Sequence, residues 1–412
     1  MTDKDKVIVL TSTFPRWPKD TTPPFVYELS RRLVSSHEVT VLTPHYPGAK
    51  TEEIMAGMTI RRFRYFFNPF EKLAGAQGML PTLQHNKFYY LLVPLFMLGQ
   101  MLSLFFLCKK IRPHVIHAHW LIPQGFCAAL IAGFFRIPFV VTAHGADIFG
   151  LRSYFFKILK KFSLCRTKRV TAVSSALATA IHQDLGYHQQ ISVLPMGVCA
   201  QQFSPAHNFP ELKKRYGITE AMLLFVGRLT QKKGVCHLID AMGQVIQKMP
   251  EAKLLVVGGG EEEANIRRQI ERMNLGRQVI MVGAVPNAEL PAYYATADIF
   301  IGPSIQTKGG DTEGFGLTFV EAALSGCLVI GSDVGGIGDI IEHEKTGYLV
   351  PPGNAEALAE TIIRALQQQE QVTEEMKRQG RAKCLAKYDW PIIAGQYRGL
   401  LHAASSSRSV PQ

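Results

Sequence analysis

Short runs rich in Val, Ile and Leu recur along this chain, and helical patterns fill the intervals between them. The early runs are Val7–Leu10, Val39–Leu42, Val115–Ala118 and Phe139–Thr142, and a helix pattern over Pro24–Leu33 follows the first. The later runs are Leu223–Val226, Leu254–Val257, Val279–Val282, Ile299–Ile301 and Leu328–Gly331. Helix patterns at Val235–Met249 and Phe319–Ser325 lie among these. Strands that alternate with helices predict parallel sheets with right-handed crossovers, an α/β architecture. The alternation is interrupted once, between residues 195 and 212, where Pro195-Met196-Gly197 leads into a polar stretch ending at Pro210. With 412 residues the chain is too long for one ordinary domain. Two domains are therefore expected, at 1–199 and 200–384. The Ser-rich end, residues 405–412, is expected to be a disordered tail.

Charge separates the two halves. Residues 1–200 hold 23 of the 45 Lys and Arg but only 10 of the 33 Asp and Glu, so the whole excess of +12 lies there. Such asymmetry points to an anionic partner for the first half, unless the basic surface is silent. Seven scattered cysteines without a Cys-x-x-Cys pair read as reduced thiols of a cytosolic protein, not as a disulfide framework or a zinc site. The charged N-terminus runs straight into a strand and does not read as a secretory signal.

Two segments bear on membranes. Phe88–Cys108 has no charged residue and is long enough to cross a bilayer. Pro94, Gly99, Gln100 and Ser103 interrupt it, and the buried-strand pattern Val115–His119 follows at once. A spanning helix would separate that strand from the first one. The expectation is a helix packed on the sheet, with an apolar face available to a membrane. In Leu151–Val170, residues Leu151, Phe155, Ile158 and Phe162 share one helical face, and Lys157, Lys160 and Lys161 fall mostly elsewhere. That pattern suits both a helix on an anionic membrane and a core-facing helix with solvated lysines.

Chemistry concentrates in two loops. Phe225-Val226-Gly227-Arg228-Leu229-Thr230-Gln231-Lys232-Lys233-Gly234 places Arg228 and Lys233 directly after a strand and before a helix. A guanidinium, an ammonium and nearby amides are what a diphosphate needs, although alone such a loop is as readily a solvated surface. Asp311-Thr312-Glu313-Gly314-Phe315-Gly316-Leu317-Thr318-Phe319-Val320-Glu321 sets two carboxylates around glycines that open a helix. The free amides of that helix start favour an anion. In the first half, His144 stands between a strand and a glycine in Thr142-Ala143-His144-Gly145-Ala146-Asp147, where a binding residue or a structural histidine can sit. His117 and His119, in His-Ala-His-Trp, read as structural.

Together these pieces resemble the retaining glycosyltransferases of family 4. Gly227-Arg228-Leu229, Lys233-Gly234, Ala297–Ser304, Glu313 through Glu321, Gly335-Gly336 and Thr346–Val350 carry the resemblance. It covers the second domain almost completely and the first more loosely. It implies the GT-B fold, two Rossmann-like domains facing each other across a cleft, the first taking the acceptor and the second the nucleotide-sugar donor. A last helix, about 385–404, would cross back to the first domain. The resemblance further implies that Arg228 and Lys233 pair with the donor diphosphate, and that amides around Gly314, Phe315, Gly316, Leu317 and Thr318 bind it too. Glu321 would hold the ribose, Glu313 the transferred sugar, and His144 would face that sugar from the first domain. With Arg228 and Lys233 in place, and no Asp-x-Asp on the donor side, a metal-independent enzyme without a cofactor is expected. Same-face attack, with the leaving phosphate oxygen helping to deprotonate the acceptor, follows from the resemblance.

Two departures matter. The family's Gly-Gly turn after the first strand is replaced by Thr11–Asp20, where Arg16 and Asp20, together with Asp147, are candidates for acceptor contacts. The acidic residue common after Gly-Val at the domain junction is Cys199 here. A glycan or polyprenyl-linked acceptor, an anionic membrane surface, a site on the inner face of the cytoplasmic membrane and a part in bacterial cell-surface polysaccharide synthesis, lipopolysaccharide included, complete the expectation. A sugar-phosphate synthase or phosphorylase on the same fold, or a non-catalytic basic binding protein, are the alternatives. A dehydrogenase is disfavoured because Gly258-Gly259-Gly260 runs into Glu261-Glu262-Glu263, which would repel a pyrophosphate. Nothing in the chain matches a nucleic-acid-binding motif.

Overall fold

The computed structural model describes residues 4–17, 20, 22–75, 78–79, 82–83 and 86–406. The described chain divides into two units, one formed by Met1–Met196 with Ile393–Gln412 and the other by Gly197–Ile392. The tail expected from residue 405 begins as helix, because the last helix runs to Ser406, and its remainder lies outside the described residues.

The first unit is built on eight strands in the order β3-β4-β2-β1-β5-β6-β7-β8. They are β1 (Asp5–Leu10), β2 (His37–Pro44), β3 (Glu52–Met55), β4 (Met58–Phe63), β5 (Val115–His119), β6 (Phe139–Ala143), β7 (Arg169–Ala172) and β8 (Ile191–Val193). All neighbours are parallel except the β3–β4 hairpin. Strands β5 and β6 are buried along their whole length, which is why they read as mostly apolar runs and not as an alternation with exposed polar residues; His117, His119 and Thr142 are buried with the rest. The hairpin departs from the simple βα series. Its turn, Ala56-Gly57, has positive φ at both positions, 48° and 80°. That geometry is usually announced by Asn-Gly, so the sequence does not advertise it. Glu52 and Glu53 keep the β3 edge charged, which discourages pairing with another chain.

The second unit carries six parallel strands in the order β11-β10-β9-β12-β13-β14. They are β9 (Met222–Val226), β10 (Lys253–Val257), β11 (Val279–Gly283), β12 (Ile299–Gly302), β13 (Leu328–Ser332) and β14 (Tyr348–Val350). Its core joins Leu223, Phe225, Leu254, Val256, Ile299 and Ile301 to Leu238, Ile239 and Met242 of the Val235–Lys248 helix. In each sheet the strand order reverses beside the first strand: at β1/β5 and at β9/β12. Loops leaving the carboxyl ends of strands at such a reversal diverge and leave a crevice between them.

The long apolar segment is resolved into a helix, Leu92–Ile111, preceded by a short 3-10 turn. Phe96, Gln100, Leu104, Leu107 and Cys108 form its buried stripe, and Gly99 lies so close to the Arg64 carbonyl that a Cβ would come within 2.6 Å of it. Strands β1 and β5, which precede and follow this helix, pair directly, Val7 with Val115. The strands before and after the helix therefore belong to one sheet, which argues against its spanning a membrane although it is long and apolar enough to cross one.

Candidate functional site

The β9/β12 reversal positions most of the residues singled out in the second unit. The loop after β9 holds Arg228 and Lys233, and the loop after β12 holds Glu313. Close backbone approach fixes both loops. Gly258 lies so near the Gly227 carbonyl that a Cβ would stand 1.9 Å from its oxygen, and a Cβ on Gly234 would stand 2.0 Å from the Pro303 oxygen. The Ile305 N–H also donates to the Lys232 carbonyl at 2.8 Å, tying the β12 loop to the β9 loop.

Lys233 Nζ lies 2.5 Å from Glu313 Oε2, with side chains 17% and 14% exposed. Beside it Lys232 pairs with Asp311 at 3.2 Å. Burial works to raise the Glu313 carboxyl, but Lys233 and Lys232 outweigh it and hold the group below its ordinary value. Glu313 is anchored from behind as well. Gly336 N–H donates to its carbonyl at 3.3 Å, and Gly335, at φ 59°, packs where a Cβ would be 2.0 Å from that carbonyl oxygen.

Gly316, at φ 101°, turns the chain into the Leu317–Leu324 helix without a side-chain cap. Such a start leaves amides aimed outward, with the positive end of the helix behind them. Glu321 lies farther along this helix and accepts a hydrogen bond from the Tyr294 hydroxyl at 2.8 Å. Burial pushes its carboxyl up to about 7, against the opposing pull of Tyr294 and Lys233. The two carboxylates thus differ in charge state near neutrality. Glu313 is ionised, and Glu321 is divided between its two forms. Arg228 is exposed on the same loop as Lys233.

In the first unit His144 follows β6 and is partly buried. Its Nε2 lies 2.9 Å from His119 Nδ1, and its ring packs against Trp120 and Phe25 at centroid distances of 4.7 and 5.2 Å. Burial, helped by His117, depresses its pKa to about 3, so the ring is neutral. The three residues expected on the acceptor side are each engaged within the first unit. Asp147 is buried and accepts from the backbone N–H groups of Leu121 (2.8 Å), His144 (3.2 Å) and Gly145 (3.0 Å). It shapes the loop that carries His144. Asp20 is enclosed likewise, accepting from the backbone and guanidinium of Arg16 and from Thr22. Arg16 is held in turn between the rings of Trp17 and Tyr46. The pair stabilises the loop after β1, and its charges are satisfied there.

Sequence reasoning reads His119 as structural and passes over Tyr294. The signal for His119 was its place at the end of β5, beside the reversal in strand order. Tyr294 carried none, since it meets Glu321 only through packing of separate helices. Among the described residues no three His, Cys, Asp or Glu come together as a metal site would need.

Residues 208–383 match the family described as glycosyl transferases group 1, and residues 24–202 match the one described as Glycosyltransferase Family 4. The chain belongs to glycosyltransferase family 4. This glycosyltransferase is 29% identical to the N-acetyl-alpha-D-glucosaminyl L-malate synthase of Bacillus anthracis, over 70% of its own length and 74% of the relative's. It is 30% identical to a GDP-mannose-dependent alpha-(1-6)-phosphatidylinositol monomannoside mannosyltransferase of Mycobacterium tuberculosis, over 59% and 63% of the two chains. The aligned region is thus just under two thirds of that relative. Among solved structures it resembles the sucrose-phosphate synthase of Thermosynechococcus elongatus (TM-score 0.75, 23% identity, 97% and 100% of the chains covered). It also resembles HepE of Anabaena in complex with UDP (TM-score 0.74, 20% identity, the same coverage). These likenesses establish the GT-B fold for the glycosyltransferase.

Proposed function

We propose that this glycosyltransferase moves a sugar from a nucleoside diphosphate sugar to a glycan or polyprenyl-linked acceptor, with retention at the anomeric carbon, in bacterial cell-surface polysaccharide synthesis. The observation that carries the reading is the meeting, around β9/β12, of the Arg228–Lys233 loop, a glycine-opened helix start, and the carboxylates Glu313 and Glu321. In this reading the second unit is the donor domain and the first takes the acceptor. Arg228 and Lys233 neutralise the departing diphosphate, with amides of Gly314–Thr318 beside them and no resident metal. Glu321 accepts from the ribose, and Glu313 and His144 meet hydroxyls of the sugar. The bond from the anomeric carbon to phosphate oxygen breaks, the acceptor oxygen bonds on the same face, and its proton passes to the leaving phosphate oxygen. The names of relatives in glycolipid and teichuronic acid synthesis support the acceptor class.

A melting panel with UDP, GDP, ADP and their sugars tests the donor site. One nucleotide is expected to raise the melting temperature of wild type, in EDTA as in buffer, and not that of Arg228→Ala. If no nucleotide shifts it at millimolar concentration, the donor assignment is wrong.

The Glu321 carboxyl yields a pH signature. Raised to about 7 in the folded chain, it contributes stability that is full below its unfolded value near 4.5 and is lost as pH rises through 7. Ribose binding needs the ionised form, so nucleotide affinity should increase from pH 6 to pH 8 by up to about tenfold. Glu321→Gln should flatten that rise. A rise of equal size in the variant would assign it to the phosphate instead.

Membrane attachment is part of the proposal. On the face opposite its buried stripe, the Leu92–Ile111 helix exposes Leu95, Leu98, Leu102 and Phe106. It packs beside the Phe126–Phe135 helix, which exposes Leu130 and Phe134, and that helix packs beside Tyr154–Arg166. There one of the three lysines departs from the solvated expectation, while Lys161 is exposed and Lys157 half-buried. Lys160 is buried, its ammonium donating to the Leu151 carbonyl at 2.5 Å, while Tyr154, Phe155 and Ile158 are exposed. Three neighbouring helices thus present apolar side chains on the basic unit, as a peripheral membrane surface would. Flotation with anionic vesicles should carry the wild type and lose the Leu98→Glu/Leu102→Glu/Phe106→Glu variant. Equal flotation of both would remove this surface from the proposal.

A further inference from the structure

We propose that His119 is a positioning residue. Its Nδ1–H donates to His144 Nε2 and holds His144 in the tautomer protonated at Nδ1, so that His144 offers the sugar a hydrogen-bond donor and not a base. The inference rests on the reading that His144 meets the transferred sugar.

The argument is an accounting of protons. The two ring nitrogens are 2.9 Å apart, and the rings are inclined by 28°. Burial depresses the pKa of both rings, that of His119 furthest, so each imidazole is neutral and carries one N–H. One proton lies in the shared bond, and heavy-atom positions alone leave its owner open. The other nitrogen of His119 decides. Nε2 is buried and has no partner among the described residues. Were His144 the donor, the proton of His119 would sit on Nε2 as a buried N–H with no acceptor, a costly and rare state. With His119 as donor, Nε2 keeps only a bare lone pair, and His144 must carry its own proton on Nδ1.

His117 repeats the pattern one pleat earlier. Its Nδ1 is buried without a partner, and its Nε2 lies 2.8 Å from Thr142 Oγ1, so the same accounting puts its proton on Nε2. The His117 and His119 rings pack at 4.2 Å, and Trp120 and Phe25 confine the His144 ring. Strand β5 therefore supplies a fixed imidazole behind His144. A neutral His144 presenting Nδ1–H can donate to a sugar oxygen and cannot remove its proton. This fits a transfer in which the leaving phosphate receives the acceptor proton.

The test is long-range 1H–15N correlation on histidine-labelled full-length protein, with His144 assigned by its loss in His144→Ala. Wild type is expected to show His144 protonated at Nδ1. His119→Asn, whose amide can donate from nearly the same place, should keep that tautomer and most of the activity. His119→Leu should lose the tautomer and lower kcat about tenfold with little change in donor KM. An unchanged melting shift with the donor nucleotide confirms that each variant is folded. A wild-type His144 protonated at Nε2, or an unaltered tautomer in His119→Leu, would overturn the proposal. If the tautomer is as assigned but His144→Ala transfers sugar normally, the sugar contact fails and the His119–His144 assignment stands.

Discussion

Lys233→Ala is expected to lower kcat by about two to three orders of magnitude, the usual cost of removing one preorganised group from a developing anion. Its ammonium sits against Glu313 at 2.5 Å in a largely buried setting. In the proposed donor site an arriving diphosphate would meet a cation already held in place by a carboxylate. The variant should also reveal itself through pH. Lys233 keeps the Glu313 carboxyl low against burial. A depressed carboxyl contributes stability that is present above its unfolded pKa and lost as pH falls through the folded one. Without Lys233, burial acts with less opposition and the carboxyl moves up. The acid limb of the activity profile should move to higher pH with it, and the stability advantage of wild type should shrink below about pH 4. Steady-state rates and melting curves from pH 4 to pH 8 check both. The pair can be separated from its parts by adding Glu313→Gln, whose effect should be smaller in the Lys233→Ala background than in wild type. Additive losses would mean that the two side chains act independently.

Gly335→Ala is expected to have a large effect on stability. Gly335 has φ 59°, a region that costs a side-chain-bearing residue roughly 1–2 kcal/mol. Its new Cβ would also stand 2.0 Å from the Glu313 carbonyl oxygen, which is backbone and cannot rotate away. Relieving such overlap typically costs another 1–3 kcal/mol. In a unit of this size, each kcal/mol lowers the melting temperature by about 2–4 °C, so a fall of roughly 5–15 °C is expected. Because the displaced oxygen belongs to Glu313, transfer should suffer even well below the new melting point. Calorimetry and rates at low temperature measure the two effects separately. As a control, Gly276→Ala meets no atom within 4 Å and should change neither. A Gly335→Ala protein that melts and works like wild type would show that this turn does not restrain Glu313.

The parts of this molecule legible in its sequence are those whose signal is local. A strand buried on both faces is mostly apolar, so β9, Met-Leu-Leu-Phe-Val, stands out, and β5 and β13 do so less cleanly because His117, His119 and Ser332 interrupt them. The loops after β9 and β12 were legible because glycines, cations and carboxylates were crowded together there. What stayed hidden depends on partners distant in sequence. Nothing near Asp147 says that the amide of Leu121, twenty-six residues earlier, will reach it. Lys160 looked like a solvated lysine because its carbonyl partners, Ile148 and Leu151, lie in the segment before its own helix. The β3–β4 hairpin was missed because Ala56-Gly57 takes up a conformation usually marked by asparagine.

The path of the chain bears on how the protein is made. The helix Trp390–Ser406 begins in the second unit and finishes in the first, where Ile393, Tyr397, Leu401 and Ala404 are buried. Tyr397 donates to the Leu194 carbonyl at 3.0 Å, and Ser405 donates to Asp5 at 2.7 Å, four hundred residues away. A ribosome that has finished Met196 has released nearly all of the first unit but not its last helix. At about 5–20 residues per second, that helix follows roughly 10–40 s later, after the whole second unit has emerged. Throughout that interval the nascent chain carries an unfilled apolar surface. The helix made after the second unit thus completes the unit made before it, and a chain truncated near residue 392 would carry a complete second unit and an unfinished first one.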